Sequence, residues 1–130
     1  LANRKQESFP GASDGDWLFY IGRSYNDRWL IDRQLNGNVC EARIWDVART
    51  QQEIWKNMYD IEDPENEAHL AAYWKFNEGS SNDIKDYSKY HNDAHIVRYW
   101  KDFNSKEEYD VKNEELWPSG IEVPQVNRED

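Results

Sequence analysis

A chain of 130 residues with a formal net charge of −10 and a sequence pI near 4.7 is one domain at most. Such a surface repels phosphate backbones, which excludes nucleic acid as a natural partner. No apolar run approaches the roughly 18 residues of a membrane-spanning helix, and a single cysteine, Cys40, excludes an internal disulfide.

Leu, Ile, Val and Phe together make up 24 of the 130 residues, which leaves the chain thin in aliphatic core. Seven Trp and eight Tyr compensate, since each large ring can bury roughly 150–250 Å². Residues 1–15 are polar and contain Pro10-Gly11 and Gly15, so they read as an N-terminal arm. Residues 16–24 alternate Trp17, Phe19 and Ile21 against Leu18, Tyr20 and Gly22. Both faces are apolar, which predicts a strand covered on both sides. A loop follows, with Tyr25, Asn26, Asp27, Arg28 and Trp29. Asn36-Gly37 is a tight-turn signal because both residues tolerate positive φ.

Residues 35–45 read as a strand. Cys40, Ala42 and Ile44 share one face, which assigns Cys40 to the core; Val39, Glu41, Arg43 and Trp45 share the other. Thr50 and Glu53 form a capping box. The helix it opens is expected to reach about residue 59, with Ile54 and Met58 inward and Trp55 beside them. Residues 60–67 are an acidic loop.

Residues 69–77 are the clearest strand, with Leu70, Ala72, Trp74 and Phe76 on one face and Ala71, Tyr73, Lys75 and Asn77 on the other. Short strands are expected at 83–87 and 94–99, separated by a tight polar loop at 88–93. Residues 101–115 read as a solvated excursion or a short helix near 105–109. Residues 116–123 read as a returning edge strand, and 125–130 as a tail. Several short strands, one short helix and many turns predict an all-β sandwich.

The loop 86–93 is the best metal candidate by chemistry. Ca²⁺ takes six to eight oxygens, and Asp86, Ser88, Asn92 and Asp93 bring carboxylate, hydroxyl and amide oxygens to one turn. The competing reading is that Asp86 caps the loop by accepting main-chain amides. His91 and His95 have a helix-type metal spacing but fall on a loop and a strand, too far apart for one ion. Tyr25 and Trp29 can stack on the C–H faces of pyranose rings while Asn26 and Arg28 bond hydroxyls; packing of Trp29 on a sheet is the alternative. Glu41 and Arg43 read as a structural ion pair. No phosphate-binding glycine loop, nucleophile elbow or Cys–His dyad is present.

The segment LNGNVCEARIWDVARTQQEI resembles the signature G-x-I-D-E-V-R-I-W-N and following Ser/Thr-x-x-Glu-Ile helix of the laminin-G-like, concanavalin-A-like lectin/glucanase jelly-roll family. Gly37, Val39, Glu41, Arg43, Ile44, Trp45, Asp46 and the Thr50-to-Ile54 run match, whereas Cys40 and Ala42 depart. AAYWKFNEGSSNDIKDYSKYHNDAHI is similar to a second family segment through Tyr73, Trp74, Phe76, Glu78, Gly79, Asp86, Ser88, Asn92 and Asp93. Ser81, Lys89, Tyr90, His91 and Ala94 depart from it. A weaker likeness lies in WLFYIGRS. The resemblance implies a jelly-roll β-sandwich over residues 16–124. It also implies that calcium is held by Asp86 and Asn92.

The family's upstream strand block is missing, so the expectation is the C-terminal portion of such a domain, completed by an upstream segment or a complementary chain. The function implied is that of a non-catalytic carbohydrate-binding or accessory module with a glycan partner. The setting implied is extracytoplasmic, on a bacterial surface protein, in the periplasm or secreted. The alternatives are part of a glycoside hydrolase and a structural or protein-interaction domain. The Glu-x-Asp-x-x-Glu strand motif of jelly-roll glucanases is not present.

Overall fold

The computed structural model describes residues 19–22, 35–101 and 106–120. The chain divides into two compact units, Leu1–Leu35 and Asn36–Asp130, the boundary falling at the expected Asn36-Gly37 turn. In the first unit Leu35 N donates to Gly22 O at 2.8 Å, and Gly22 takes φ +83°, a conformation open to glycine. Residues 19–22 are not paired in a strand, and Phe19, Tyr20 and Ile21 are exposed, so the expected double-covered strand is absent at these four positions.

The second unit is rich in short antiparallel strands and has two short helices among the described residues. In chain order these are β1 (Ala42–Trp45), α1 (Gln51–Lys56), β2 (Leu70–Trp74), β3 (Asp83–Ile84), β4 (Ala94–His95), β5 (Tyr99–Lys101), β6 (Glu108–Asp110) and α2 (Asn113–Leu116). The strands form three antiparallel pairs, β1 with β2, β3 with β4 and β5 with β6. A single bridge joins Trp74 to Asp86, and Tyr87 N donates to Tyr73 O at 2.9 Å, so residues 86–87 line the second edge of β2. No helix is long and apolar enough to cross a membrane among the described residues.

The β1–β2 register decides which side chains meet. Ala42 faces Trp74, Arg43 faces Tyr73, Ile44 faces Ala72, and Trp45 faces Leu70. Ala71 is therefore the extra residue of a bulge. A bulge moves every later side chain to the opposite face. Leu70 accordingly joins Tyr73 instead of Ala72 and Trp74, against the simple alternation read from the sequence. Leu70, Tyr73 and Ile61 form one buried cluster, with Trp45 and Tyr87 against it. Ala72, Trp74 and Ile84 form the other, with Ala42, Phe76, Ala94, Ile96 and Trp117 around it. β2 is thus covered on both faces, which is why LAAYW is a continuous apolar run.

β1 is shorter than its sequence pattern. Glu41 has φ +54°, and the extended conformation starts only at Ala42. The alternation cannot continue through that residue, so Cys40 is exposed and not a core thiol. Left-handed residues also stop the ladder at its other ends, His69 before β2 and Phe76 after it.

The capping box is present in full: Thr50 N donates to Glu53 Oε2 at 2.7 Å, and Glu53 N donates to Thr50 Oγ1 at 3.3 Å. α1 ends at Lys56 rather than near residue 59, and Ile54 is exposed rather than inward. Arg49 lies 3.9 Å over the Trp45 ring, linking the helix entry to the sheet. Of the charged stretch 101–115, residues 102–105 lie outside the described residues; within the rest, 108–110 form β6 and α2 begins at Asn113, in place of the expected solvated excursion or helix near 105–109. Leu116, expected to open a returning strand, instead closes α2, and turn residues follow it.

Candidate functional site

Two side-chain systems are built on the second edge of β2 and around Tyr73 on one of its faces. The first is a clamp. Asp86 is fully buried, and each carboxylate oxygen has two donors. Oδ1 accepts Tyr73 N at 2.9 Å and Ser88 N at 2.8 Å; Oδ2 accepts Ser88 Oγ and Asn92 N, both at 2.9 Å. Asp93 Oδ1 returns the bond by accepting Asp86 N at 2.8 Å. Asn92 O accepts Trp74 Nε1 at 3.1 Å, which ties the loop to the second core cluster. A buried carboxylate needs this density of donors, and main-chain amides supply it without a counter-ion.

This donor set bears on calcium. The protons of three amides and one hydroxyl already occupy the lone pairs of Asp86, and the main chain of Asn92 is engaged on both sides. A cation at Asp86 would face those protons, so the arrangement does not fit calcium held by Asp86 and Asn92. It is the loop cap that competed with metal ligation in the sequence reading. Among the described residues no cluster of three or more His, Cys, Asp or Glu side chains is arranged for a metal. His91 and His95 turn to separate partners, Glu65 at 3.7 Å and Asp83 at 2.9 Å.

The second system is a row of cations and rings. Arg43 Cζ lies 4.9 Å from the Tyr73 ring centroid, and Lys75 Nζ lies 5.4 Å from it. Lys75 Nζ also lies 5.0 Å from the Tyr87 centroid, and Lys85 Nζ lies 4.7 Å from it. The order is therefore Arg43, Tyr73, Lys75, Tyr87, Lys85. Each ring presents a negative π-face to an ammonium or guanidinium group. The two rings themselves are tilted at 55°, with centroids 6.1 Å apart.

Two carboxylates hold one end of the row. Glu41 accepts from Arg43 at 2.7 Å and from the Tyr73 hydroxyl; Asp60 Oδ1 accepts from Lys75 at 2.9 Å and lies 3.2 Å from that hydroxyl. Glu41 and Arg43 are thus the structural pair expected from their spacing. Burial, which disfavours the charged phenolate, and then the hydrogen bond to Glu41 push the Tyr73 hydroxyl well above the ordinary tyrosine value. The hydrogen bond from Lys75 holds the Asp60 carboxyl below its usual range.

Lys85 differs from the other two cations. No carboxylate lies within ion-pair distance of its ammonium group among the described residues; only its main-chain amide meets an acid, donating to Glu78 Oε1 at 2.9 Å. The sequence reading missed Lys75, Lys85, Tyr87 and Asp60 as a group. One signal was available: Lys85 and Tyr87 are two apart and share a face wherever the chain is extended. Nothing local places Asp60 or Lys75 beside them. Tyr25, Asn26, Arg28 and Trp29, the ligand-binding residues expected from the sequence, lie outside the described residues.

Comparison of the chain with protein families, with curated proteins and with solved structures finds no match.

Proposed function

We propose that this chain supplies strands of a laminin-G-like, concanavalin-A-like jelly-roll sandwich and works as a non-catalytic carbohydrate-binding or accessory module in an extracytoplasmic setting. One observation carries the reading. The two segments that bear the resemblance, 35–54 and 71–96, meet as antiparallel partners, with Arg43 opposite Tyr73 and the Asp86 loop fastened to the free side of β2. Segments remote in sequence thus support one another in a β-rich unit, as strands of a sandwich do. The glycan contacts proposed are Tyr25 and Trp29 as stacking rings, with Asn26 and Arg28 on the hydroxyls.

A share in glycoside hydrolysis is the weaker reading. Glu41 and Asp60 flank one hydroxyl, a proximity that retaining enzymes use. Retention also needs a carboxyl that keeps its proton near neutrality, and Lys75 holds Asp60 in the opposite direction.

A glycan array probed with the full chain tests the proposal. Binding is expected, and Trp29→Ala is expected to weaken it while leaving Tm nearly unchanged. A large loss of stability in that variant would assign Trp29 to the core. An array with no bound glycan would return the chain to a structural or protein-interaction role.

A further inference from the structure

We propose that Asn36 is a site of spontaneous covalent modification: it closes an imide ring on the Gly37 main-chain nitrogen, loses ammonia, and reopens as aspartate or isoaspartate. The inference stands apart from the glycan reading and rests on which asparagine the fold leaves unheld. Asn36 and Gly37 are both exposed, and residues 35–41 around them belong to no helix or strand. Among the described residues no hydrogen bond engages the Asn36 side chain or the Gly37 amide.

The step is an intramolecular substitution followed by hydrolysis. The Gly37 nitrogen gives up its proton to base and attacks Asn36 Cγ. The new N–Cγ bond forms, the Cγ–Nδ2 bond breaks, and Nδ2 takes a proton from water and leaves as ammonia. Water then opens the ring at one of its two carbonyl carbons. Breaking the bond to Cγ gives aspartate. Breaking the bond to the main-chain carbonyl carbon gives isoaspartate, whose main chain is longer by one methylene. Gly37 has no Cβ to crowd the closing ring. Either product adds one negative charge to a chain that already carries −10.

The contrast with other asparagines is structural. Asp83 N, the nitrogen that would attack Asn82, donates to Ser81 Oγ at 2.9 Å. Met58 N, which follows Asn57, donates to Trp55 O at 3.3 Å. A bonded amide must give up its acceptor before it can turn onto the neighbouring side chain. Asn66 Nδ2, the leaving group at that position, donates to both Asp63 carboxylate oxygens, at 3.1 and 2.9 Å. Asn38 is exposed like Asn36, but Val39 after it is β-branched and crowds the ring. Asn36 combines an unheld side chain, an unheld attacking amide and a successor without a side chain.

Peptide mapping by mass spectrometry tests this on the full chain, held folded in warm, mildly alkaline buffer. Expected at Asn36 is the mass gain of an amide turned to an acid, with aspartate and isoaspartate both present. No comparable gain is expected at Asn38 or Asn82. Tm is expected to stay unchanged, because neither Asn36 nor Gly37 belongs to a buried cluster. Hydroxylamine, which traps the imide, is expected to split the chain between residues 36 and 37. Gly37→Ala is expected to lose most of the conversion and Asn36→Gln all of it. In urea, Asn82 is expected to convert faster than in the folded chain, while Asn36 keeps its rate. An intact Asn36 in the folded chain, equal conversion at Asn36 and Asn82, or an unchanged rate in Gly37→Ala would each overturn the proposal. Conversion of Asn36 only in urea would overturn it too, by showing that the fold holds this position after all.

Discussion

Asp86 Oδ1 accepts the main-chain amide of Tyr73, thirteen residues upstream, at 2.9 Å. That bond stands where a sheet would otherwise have a neighbouring strand's carbonyl, so a side chain completes the edge of β2. Asp86→Ala would leave three main-chain amides without an acceptor in a buried place. A loss of about 3 kcal/mol or more is expected from such stranded donors, read as a lowered urea midpoint. Asp86→Asn keeps one carbonyl oxygen and is expected to lose less. Equal stability of Asp86→Ala and the parent chain would show that the clamp does not hold the loop.

Calcium follows from the same residue. Millimolar calcium added to chelated protein is expected to leave Tm unchanged, because a ligand stabilises only by binding the folded state more tightly and the Asp86 oxygens already have their donors. A rise in Tm, lost in Asp86→Asn, would mean that the loop opens to take the ion.

At the alkaline end, Tyr73 is the group to watch. Its folded-state value is raised above the ordinary 10.0. The stability it contributes is therefore complete below the unfolded value and is lost as pH rises through and beyond it. Unfolding midpoints measured from pH 8 to 11 are expected to fall less steeply in Tyr73→Phe than in the parent chain. At neutral pH that variant is expected to be less stable by about 1 kcal/mol, the net worth of one hydrogen bond.

At the acid end the sign reverses. Asp60 is lowered chiefly by the hydrogen bond from Lys75, and Glu53 chiefly by the main-chain amide of Thr50. A lowered carboxylate stabilises above its unfolded value and ceases to as pH falls through its folded value. NMR titration is expected to place both below the ordinary carboxylate values of 3.8 for Asp and 4.5 for Glu. Lys75→Met is expected to move Asp60 back up and leave Glu53 in place. Movement of both would point to a long-range charge effect instead.

Some of this molecule was written in its local sequence. The capping box of Thr50 and Glu53 needs only four consecutive residues, and it formed as its spacing predicts. The Glu41 and Arg43 pair and the strand character of residues 70–74 were equally local. Three outcomes needed the folded chain. The Ala71 bulge sends Leu70 to the side of Tyr73, because the register with β1 outranks alternation. The left-handed turn at Glu41 leaves Cys40 exposed, because the residue's carboxylate is held by Arg43 and the Tyr73 hydroxyl. The cation row exists only because Asp60, Lys75 and Lys85 are delivered to one place by a loop, a strand end and an edge segment. Period and composition report what neighbours along the chain can do; charges and rings brought together from positions 41 to 87 interact through space, at distances that no spacing in the sequence encodes.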